Sequence, residues 1–362
     1  AEAAAFVAIG ADLVRIRVPA IRELVLRLRD RGLEPGYWHP RKGQPVKDGE
    51  DPSTVPAGSQ RALALIRERV DEAAAESGRY VRLGTVATAL AAPEQALVAA
   101  LERIDLVEAD PITEIVTDGV DPDRALADHA FGHRLLRRSG AMVLVGPGPL
   151  IVAPDLARGI PADPATRAGR AFAMQALAVA LARGDGLGAG QLAIGALVPW
   201  LAEEREPAAE ALAAVALRRM AWPDVALAFD EPDLPGRSGA RWPYLVALGL
   251  GVVGPTAPGV AGPGALILRR AATVDAAVHA EETTRAAASV AAELAEAPGI
   301  VLDRPAIAAH ADALLAAAEA TLAGLADEGW QAVLGAPLGE PGLDRLGADA
   351  VVERTEGFDP LG

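Results

Sequence analysis

Three neighbouring carboxylates in this chain could do acid–base or metal-assisted chemistry. Asp230, Glu231 and Asp233 directly follow an apolar run that ends at Phe229. If that run is a buried strand of a parallel fold, these acids lie where such folds carry their catalytic groups. The sequence leaves open whether they act on a ligand or are solvated acids of a loop.

A second candidate is a pair of histidines four residues apart, His129 and His133, which would share one face of a helix. Two histidines at this spacing make half of a metal site. No glutamate completes an HExxH pattern, and Arg134, Arg137 and Arg138 fall in the same turn. The pattern favours a solvated helix face, and we predict no metal site here.

Two further stretches are better explained by structure than by ligand binding. Asp118, Asp121 and Asp123 resemble a cation-binding loop, but an aspartate before Pro122 more simply caps a helix. The glycines of GDGLGAG, residues 184–190, resemble a phosphate-binding loop. They follow a predicted helix and precede a predicted strand, the reverse of the order in a dinucleotide-binding loop. We therefore predict that they lie on the face opposite to the functional site.

Composition excludes several other classes of function. The chain has 362 residues, a formal net charge of −15 and no cysteine, which excludes disulfides, thiolate nucleophiles and zinc–sulfur sites. The arginines are scattered along amphipathic helices, so nucleic acid is not expected as a partner. Lysine occurs only at Lys42 and Lys47, in a Pro- and Gly-rich loop predicted at Glu34–Ser59. Neither lysine is expected at a strand end, where a Schiff-base lysine would be needed.

The hydrophobic pattern predicts repeated βα units as the scaffold for these residues. In the clearest unit, Tyr80–Asp110, a strand from Tyr80 closes at Thr88, and Pro93 opens a one-sided helix over Glu94–Leu106. Six further strands are predicted at Leu13–Val18, Thr113–Thr117, Ala141–Val145, Gln191–Leu197, Asp224–Phe229 and Leu245–Val253. The other predicted helices include Ala20–Arg31, Gln60–Glu76, Val274–Ala297 and Arg304–Glu328.

Seven strands alternating with helices predict a TIM-type (β/α) barrel, with about seven of its eight parallel strands present. Acidic residues before Pro122, Pro164 and Pro207 mark three helix starts. The eighth strand should precede Ala1. We expect residues 1–300 to form the barrel lacking its first strand, and residues 301–362 to add a C-terminal helix and a wrapping tail.

One stretch, Trp242–Leu268, is uncharged and long enough to span a bilayer. Its four prolines and many glycines would break a spanning helix repeatedly. We therefore interpret it as a buried strand followed by a tight loop, and we expect no membrane partner.

A family resemblance is carried by GRYVRLGTVATALAAPEQALVAALERIDLV, residues 78–107. This stretch resembles the α subunit of lysine 5,6-aminomutase and the related ornithine aminomutases. There too a strand leads through a small-residue turn to Pro-Glu and a helix ending in Glu-Arg-Leu-Asp. Similar patterns follow the family's order over essentially the whole chain: GADLVRIR, DRALADHAFGHRL, IPADPATRAGRAFAMQALAVA and GADAVVERTEGFDPL.

The resemblance implies a barrel subunit, truncated at its N-terminus, that holds pyridoxal phosphate and a small amino-acid substrate. The reaction would be a 1,2-amino shift on a basic amino acid such as lysine, which makes the enzyme a cytoplasmic isomerase. A cobalamin-binding partner subunit would bring adenosylcobalamin and the Schiff-base lysine, in agreement with the scarcity of lysine here. The cofactors would carry the radical chemistry, while the barrel orients them and excludes water.

The resemblance places four residues at the family's cofactor-binding positions, Arg17, Thr88, Thr113 and Asp118. Arg17 keeps a phosphate-binding arginine, and Thr88 keeps a hydroxyl in place of serine. Thr113 stands where the family has a tyrosine stacked on the pyridine ring. Asp118 stands where it has a second phosphate-binding arginine, so the charge is reversed.

Other positions depart further from the family. Gly148 and Pro149 replace a substrate-binding Asp-Asn pair, and Gly195–Pro199 replaces a Gly-His-Ala-Phe-Glu signature. A second hypothesis is therefore a catalytically silent barrel paralogue that acts as an assembly or regulatory module. A third uses Asp230 and Glu231 for metal-assisted chemistry unrelated to the family. Any functional pocket is expected at the carboxyl ends of the strands, near the four cofactor positions, Gly146 and Asp230.

Overall fold

The computed structural model describes residues 13–15, 54–78, 80–87, 92–113, 115, 122–145, 164–195, 207–230, 265–268 and 304–329. The strands β1 to β7 are Leu13–Arg15, Arg82–Val86, Leu106–Glu108, Met142–Val145, Leu192–Gly195, Ala226–Asp230 and Ala265–Leu268. The long helices α1 to α6 are Thr54–Ser77, Ala92–Leu101, Pro122–Ser139, Pro164–Gly184, Pro207–Ala221 and Arg304–Glu328.

The seven strands form one parallel sheet in the order β1 to β7. Helices α1 to α5 alternate with the strands from β1 to β6 along the chain. Cα atoms of β1 and β7 lie within 8 Å of each other, so the sheet curls until its two edge strands approach. The predicted TIM-type (β/α) barrel is confirmed. The strand expected before Ala1 lies outside the described residues and stays a prediction.

The two faces of the sheet have separate apolar clusters. Strand residues of the main core pack with the helices: Val107, Val143, Ile194 and Leu227. The alternate strand positions form a second cluster on the opposite face, inside the barrel: Leu106, Leu144, Ala193, Ala226 and Ala228. Residues that continue this alternation toward the strand ends therefore lie on the side of the barrel interior.

Helix starts were predicted well because proline marks them. α3, α4 and α5 begin at Pro122, Pro164 and Pro207, where the fixed φ of proline suits a first helical turn. The last predicted helix is confirmed as α6. α1 begins at Thr54, so the last six residues of the loop predicted at Glu34–Ser59 are helical instead.

The strand predicted at Thr113–Thr117 is wrong. The third strand is Leu106–Glu108, which pairs with β2 on one side and β4 on the other. Pro111–Thr113 is a single helical turn that follows it. The correction moves the carboxyl end of this strand back to Glu108, and it changes which residues border the site.

The cause of that error is the way in which α2 ends. α2 stops at Leu101, although the apolar spacing predicted a helix through to Leu106. Arg103 takes a φ of 52°, and the N–H of Ile104 donates to the carbonyl oxygen of Ala99 at 2.9 Å. This is a Schellman-type helix end, in which glycine usually holds the left-handed position. With arginine there, no stop signal is visible in the sequence.

The last strand also differs from the prediction. β7, Ala265–Leu268, falls in the part of Trp242–Leu268 that was predicted to be a tight loop. It pairs with β6 over four residues, and its Leu268 is in register with Asp230. The predicted strand Leu245–Val253 lies outside the described residues, as do the helices predicted at Ala20–Arg31 and Val274–Ala297.

α6 packs across the outside of α4 and α5. Its buried side includes Leu314, Ala318 and Thr321. Length and composition alone would allow Pro305–Glu328 to cross a membrane, but this side of the helix is packed against the barrel helices. A Cβ on Gly169 of α4 would lie 2.8 Å from the carbonyl oxygen of Leu314. The two helices therefore touch backbone to backbone, which only glycine permits at that position.

A charged network at the amino ends of β2 and β3 ties α1 to the sheet. Arg67 of α1 donates from Nη1 to Asp105 Oδ2 at 2.9 Å and from Nη2 to the carbonyl oxygen of Val81 at 2.9 Å. The same Asp105 Oδ2 accepts the Leu83 N–H at 2.8 Å, and Oδ1 accepts the Tyr80 hydroxyl. We call this group the Asp105 network. It fixes one helix and two strands relative to one another.

Candidate functional site

The carboxyl ends of all seven strands open on one side of the barrel, because the sheet is parallel. We call this side the carboxyl face. Its border is set by the last residue of each strand: Arg15, Val86, Glu108, Val145, Gly195, Asp230 and Leu268. Parallel barrels place their ligand sites on this face, so the candidate site is here.

Glu108 is the best-placed carboxylate on the carboxyl face. It lies two residues beyond Leu106 on β3, so it shares the inward side of the strand, in register with Val86 and Leu144. Its Oε2 atom is buried. Asp110, two residues further on, is also buried, and its Oδ1 accepts the Ile112 N–H at 3.0 Å. The end of β3 thus carries two carboxylates in a partly dry environment.

Sequence reasoning missed both of these acids. The helix predicted through Leu106 hid the strand, so Glu108 and Asp110 were not seen as residues at a strand end. The signal was present in the Leu106-Val107-Glu108 alternation directly after Asp105. A short strand of three residues carries too little pattern to outweigh a helical periodicity that leads up to it.

The inward residues of the described strands differ in size around the barrel. On β5 and β6 the inward positions before Asp230 hold small residues, Ala193, Gly195, Ala226 and Ala228. On β3 and β4 they include Leu106, Met142 and Leu144. TIM barrels usually fill these layers with bulky branched side chains. The inward side chains of β5 and β6 that precede Asp230 are therefore smaller than those of β3 and β4.

The four predicted cofactor positions are only partly described. Arg17, Thr88 and Asp118 lie outside the described residues, so their roles stay predictions. Thr113 lies in the helical turn after β3 instead of in a strand, and only its backbone is described. β2 ends at Val86, which agrees with the expectation that Thr88 follows a strand end.

The acids after β6 are described in part. Asp230 is the last residue of that strand, as the sequence predicted for a carboxylate at a strand end. Glu231 and Asp233 lie outside the described residues, as do Gly146, the Gly148-Pro149 pair and residues 196–199. The Gly195–Pro199 segment is therefore described only at Gly195, the end of β5.

The acids described on the carboxyl face disfavour a phosphate group near the ends of β3 and β6. Glu108, Asp110 and Asp230 place acidic residues there, and carboxylates repel phosphate while attracting ammonium. The Ile112 N–H, a donor that could serve an anion, is already bound by Asp110. Phosphate binding close to these acids would thus depend on cationic residues such as the predicted Arg17.

A buried polar cluster holds the end of β5 from the helix side. Gln175 of α4 donates from Nε2 to the Gly195 carbonyl oxygen at 2.9 Å. Arg218 of α5 donates from Nε to the same oxygen at 3.0 Å and to Gln175 Oε1 at 2.9 Å. Burial lowers the pKa of Arg218 to about 10, so its side chain is still charged at neutral pH. Two helices thus fix one carbonyl group at the border of the candidate site.

The solvated helix face predicted for His129 and His133 is wrong, because both side chains are buried. Their rings meet edge to face at 5.9 Å, and His133 Nδ1 lies 2.7 Å from Asp185 Oδ2. Burial lowers the pKa of His129 to about 4, although Asp110, Asp128 and Asp185 oppose this shift. Burial also lowers the pKa of His133, although the hydrogen bond that Asp185 accepts from its ring opposes this shift. Both histidines are therefore neutral at pH 7.

The helix α3 that carries this pair has two distinct sides. Arg134, Arg137 and Arg138 are exposed on the outer side, while the histidines face the interior of the protein. The arginines next to the histidines in the sequence thus led to the wrong prediction that the histidines are exposed. In the part of the chain that the structure describes, no group of three or more His, Asp or Glu side chains could hold a metal ion.

The glycine-rich residues 184–190 lie where the sequence placed them. They join the end of α4 to the start of β5, at the amino ends of the strands and away from the carboxyl face. Of the three aspartates near the start of α3, Asp123 is exposed in the first helical turn. Asp118 and Asp121 lie outside the described residues.

A parallel (β/α) barrel with acidic residues on its carboxyl face is the class that the fold and the site define. Residues 55–233 match the family model described as the D-lysine 5,6-aminomutase TIM-barrel domain of the alpha subunit. The match runs from α1 to just beyond β6 and includes strands β2 to β6. It supports the relationship that residues 78–107 indicated.

Two curated relatives agree with this match. The lysine 5,6-aminomutase alpha subunits of Acetoanaerobium sticklandii and Fusobacterium nucleatum are each 30% identical to this chain over 88 residues. The aligned stretch is 24% of this chain and 17% of each relative. The similarity to these proteins thus covers less than a fifth of their length.

Proposed function

We propose that this chain is the barrel subunit of an aminomutase that moves an amino group between adjacent carbons of a basic amino acid such as lysine. The observation that carries the proposal is the match of residues 55–233 to the barrel domain of the lysine 5,6-aminomutase alpha subunit. The parallel barrel with β2 to β6 in chain order supports it. The protein would act in the cytoplasm as an isomerase on a small amino-acid substrate.

The acidic carboxyl face suits a substrate with two amino groups. An ammonium group beside a partly buried carboxylate gains several times more Coulomb energy than it would in water. Glu108 lies on the inward side of β3 with Oε2 buried, in register with neighbours on β2 and β4. We assign it the binding and orientation of a substrate ammonium group, with Asp230 at the end of β6 as a second acid on the same face.

The cofactor and partner assignments come from the family resemblance. Pyridoxal phosphate would be bound with the help of Arg17 and Thr88, at a site that also includes Thr113 and Asp118. Adenosylcobalamin and the Schiff-base lysine would come from a cobalamin-binding partner subunit. The two curated relatives are themselves named alpha subunits, which supports a partner for this chain as well.

The substrate role of Glu108 is tested by Glu108→Gln, which keeps the size of the side chain and removes its charge. With partner subunit, both cofactors and lysine or ornithine, we expect kcat/KM to fall about a hundredfold, mainly through KM, because the substrate ammonium loses its buried counter-charge. Chromatography of the amino-acid isomers measures the reaction. Asp123→Asn, an exposed acid of α3, is the matched control. If Glu108→Gln were as active as Asp123→Asn, Glu108 would have no role in substrate binding.

Cofactor affinity gives a separate prediction. We expect the isolated chain to bind pyridoxal phosphate about a hundredfold more weakly than a barrel with paired arginines and a stacked tyrosine. One lost charge-assisted phosphate contact costs about 1.5–3 kcal/mol and a lost aromatic stack about 0.5–1.5 kcal/mol. The double substitution Asp118→Arg with Thr113→Tyr should therefore improve binding. Titration followed by cofactor absorbance measures this. Tight binding by the unsubstituted chain would show that Thr113 and Asp118 are wrongly placed.

A second candidate function is a catalytically silent barrel paralogue that serves as an assembly or regulatory module. The observation that favours it is Gly195–Pro199, which lacks the histidine and the glutamate of the family signature. A cofactor absorbance spectrum of the complex with the partner subunit separates the two candidates. The silent paralogue binds its partner without a pyridoxal phosphate band, whereas the aminomutase shows the band and turns over.

A further inference from the structure

Arg218 is a fully buried arginine whose hydrogen-bond acceptors are all neutral. Nε donates to the Gly195 carbonyl oxygen and to Gln175 Oε1, and Nη1 donates to the Ala214 carbonyl oxygen at 3.0 Å. The guanidinium lies over the ring of Phe172, 5.6 Å from its centroid. This arrangement orients the side chain fully, yet it supplies no negative charge.

The positive charge of Arg218 has no counter-charge among the described residues. Nη2 is buried and has no hydrogen-bond partner in the described part of the chain, and no ion pair to Arg218 is found there. Arg67, another buried arginine, has two aspartates beside it. A buried charge without a counter-charge destabilises a protein, and an apolar side chain of the same size is often neutral or stabilising at such a position. Stability therefore does not explain why an arginine is here.

The guanidinium is directed toward the carboxyl face. In a helix the side chains lean toward the N-terminus, and α5 runs antiparallel to the strands that flank it, so its N-terminus is at the carboxyl face. The contact from Nη1 to Ala214, one turn closer to that N-terminus, shows the same direction. Gly195 is itself the last residue of β5. The unmatched Nη2 is thus next to the border of the candidate site.

We propose that Arg218 is an oxyanion receptor, whose Nη2 binds a phosphate or carboxylate oxygen of a small ligand at the carboxyl end of β5. Arginine is suited to this because its planar fork presents N–H donors in the geometry of a carboxylate or a phosphate. Gln175, Gly195 and Phe172 already hold the fork in one orientation, so little conformational entropy is lost on binding. The proposal does not depend on the aminomutase assignment, since it concerns an anionic group of any small ligand.

Thermal unfolding of the full chain with inorganic phosphate, acetate or chloride at equal ionic strength tests the proposal. Phosphate or acetate should raise the Tm of the unsubstituted protein by about 4 °C more than that of Arg218→Met, at concentrations a hundred times Kd. In chloride alone, Arg218→Met should be at least as stable as the unsubstituted protein. A response to phosphate alone assigns the site to a phosphate group, and a response to acetate assigns it to carboxylates.

Two further variants serve as controls in this experiment. Arg218→Lys keeps the charge but loses the fork, and at least half of the anion-specific shift should be lost with it. Arg183→Met removes an exposed arginine of α4 that pairs with Asp224, and it should keep the full shift. The proposal is overturned if Arg218→Met responds to phosphate and acetate as the unsubstituted protein does, since the shift would then be a general salt effect. Strong destabilisation of Arg218→Met in chloride would also overturn it, by showing that Arg218 is a structural tie.

Discussion

Asp105→Ala is expected to lower the free energy of unfolding by about 3 kcal/mol or more. Asp105 accepts hydrogen bonds from Arg67, from the Leu83 N–H and from the Tyr80 hydroxyl. The alanine variant would remove all three at once and leave the buried guanidinium of Arg67 with Asp71 as its remaining acid. Urea unfolding followed by circular dichroism measures the change.

Two further variants serve as comparisons for Asp105→Ala. Asp105→Asn keeps an acceptor oxygen and should fall between the alanine variant and the unsubstituted protein. Arg69→Ala breaks an exposed ion pair with Glu72 on the same helix, so it should lower the free energy of unfolding much less than Asp105→Ala does. If Asp105→Ala cost no more than Arg69→Ala, the Asp105 network would not hold α1 to the sheet.

Acid is expected to destabilise the protein below about pH 6.5 through the buried histidines. The pKa of His129 is lowered from 6.5 to about 4 by burial, so in this range the unfolded chain binds a proton that the native state does not. Above pH 6.5 His129 is neutral in both the folded and the unfolded state and does not lower the free energy of unfolding. As the pH falls from 6.5 to 4, only the unfolded chain gains the proton, and the free energy of unfolding decreases. At about 1.4 kcal/mol per pH unit the total loss is about 3 kcal/mol. His133 shifts in the same direction and adds to it.

His129→Gln should flatten this pH dependence, because glutamine has no proton to gain. Chemical unfolding between pH 4 and 8 gives the slope for each protein. Leu65→Gln, which changes an exposed residue of α1 without adding or removing a titratable group, is the control and should leave the slope unchanged. The same slope in His129→Gln as in the unsubstituted protein would show that the acid sensitivity arises from other groups.

The elements that sequence predicted well are those whose signal is local. Neighbouring residues alone mark the starts of three helices, at Pro122, Pro164 and Pro207. The same is true of the apolar run that forms β6. β3 was missed because its boundary depends on a left-handed Arg103 instead of a glycine. Because β3 was not predicted, Glu108, the acid best placed in the candidate site, was not predicted as a site residue either.

The buried polar groups could not have been predicted, because burial depends on packing between distant segments. His133 meets Asp185 across 52 residues, and Arg218 meets Gln175 across 43. The Arg218-Arg219 pair near the end of α5 has the pattern of basic residues that stabilise a helix C-terminus, and nothing in that pattern shows that both side chains are buried. Arg17, Thr88 and Asp118 lie outside the described residues, so their placement remains a prediction.

The close approach of α4 and α6 at Gly169 has a practical consequence for dissecting this protein. A fragment cut at the limits of the family match, residues 55–233, would keep α4 and discard the helix that covers it. The apolar groove around Gly169 would then be open to water and to the same groove on other copies of the fragment. The same fragment would also lose β1 and β7 and leave two open sheet edges, so fragments that include Leu13 through Glu328 are the appropriate ones to produce.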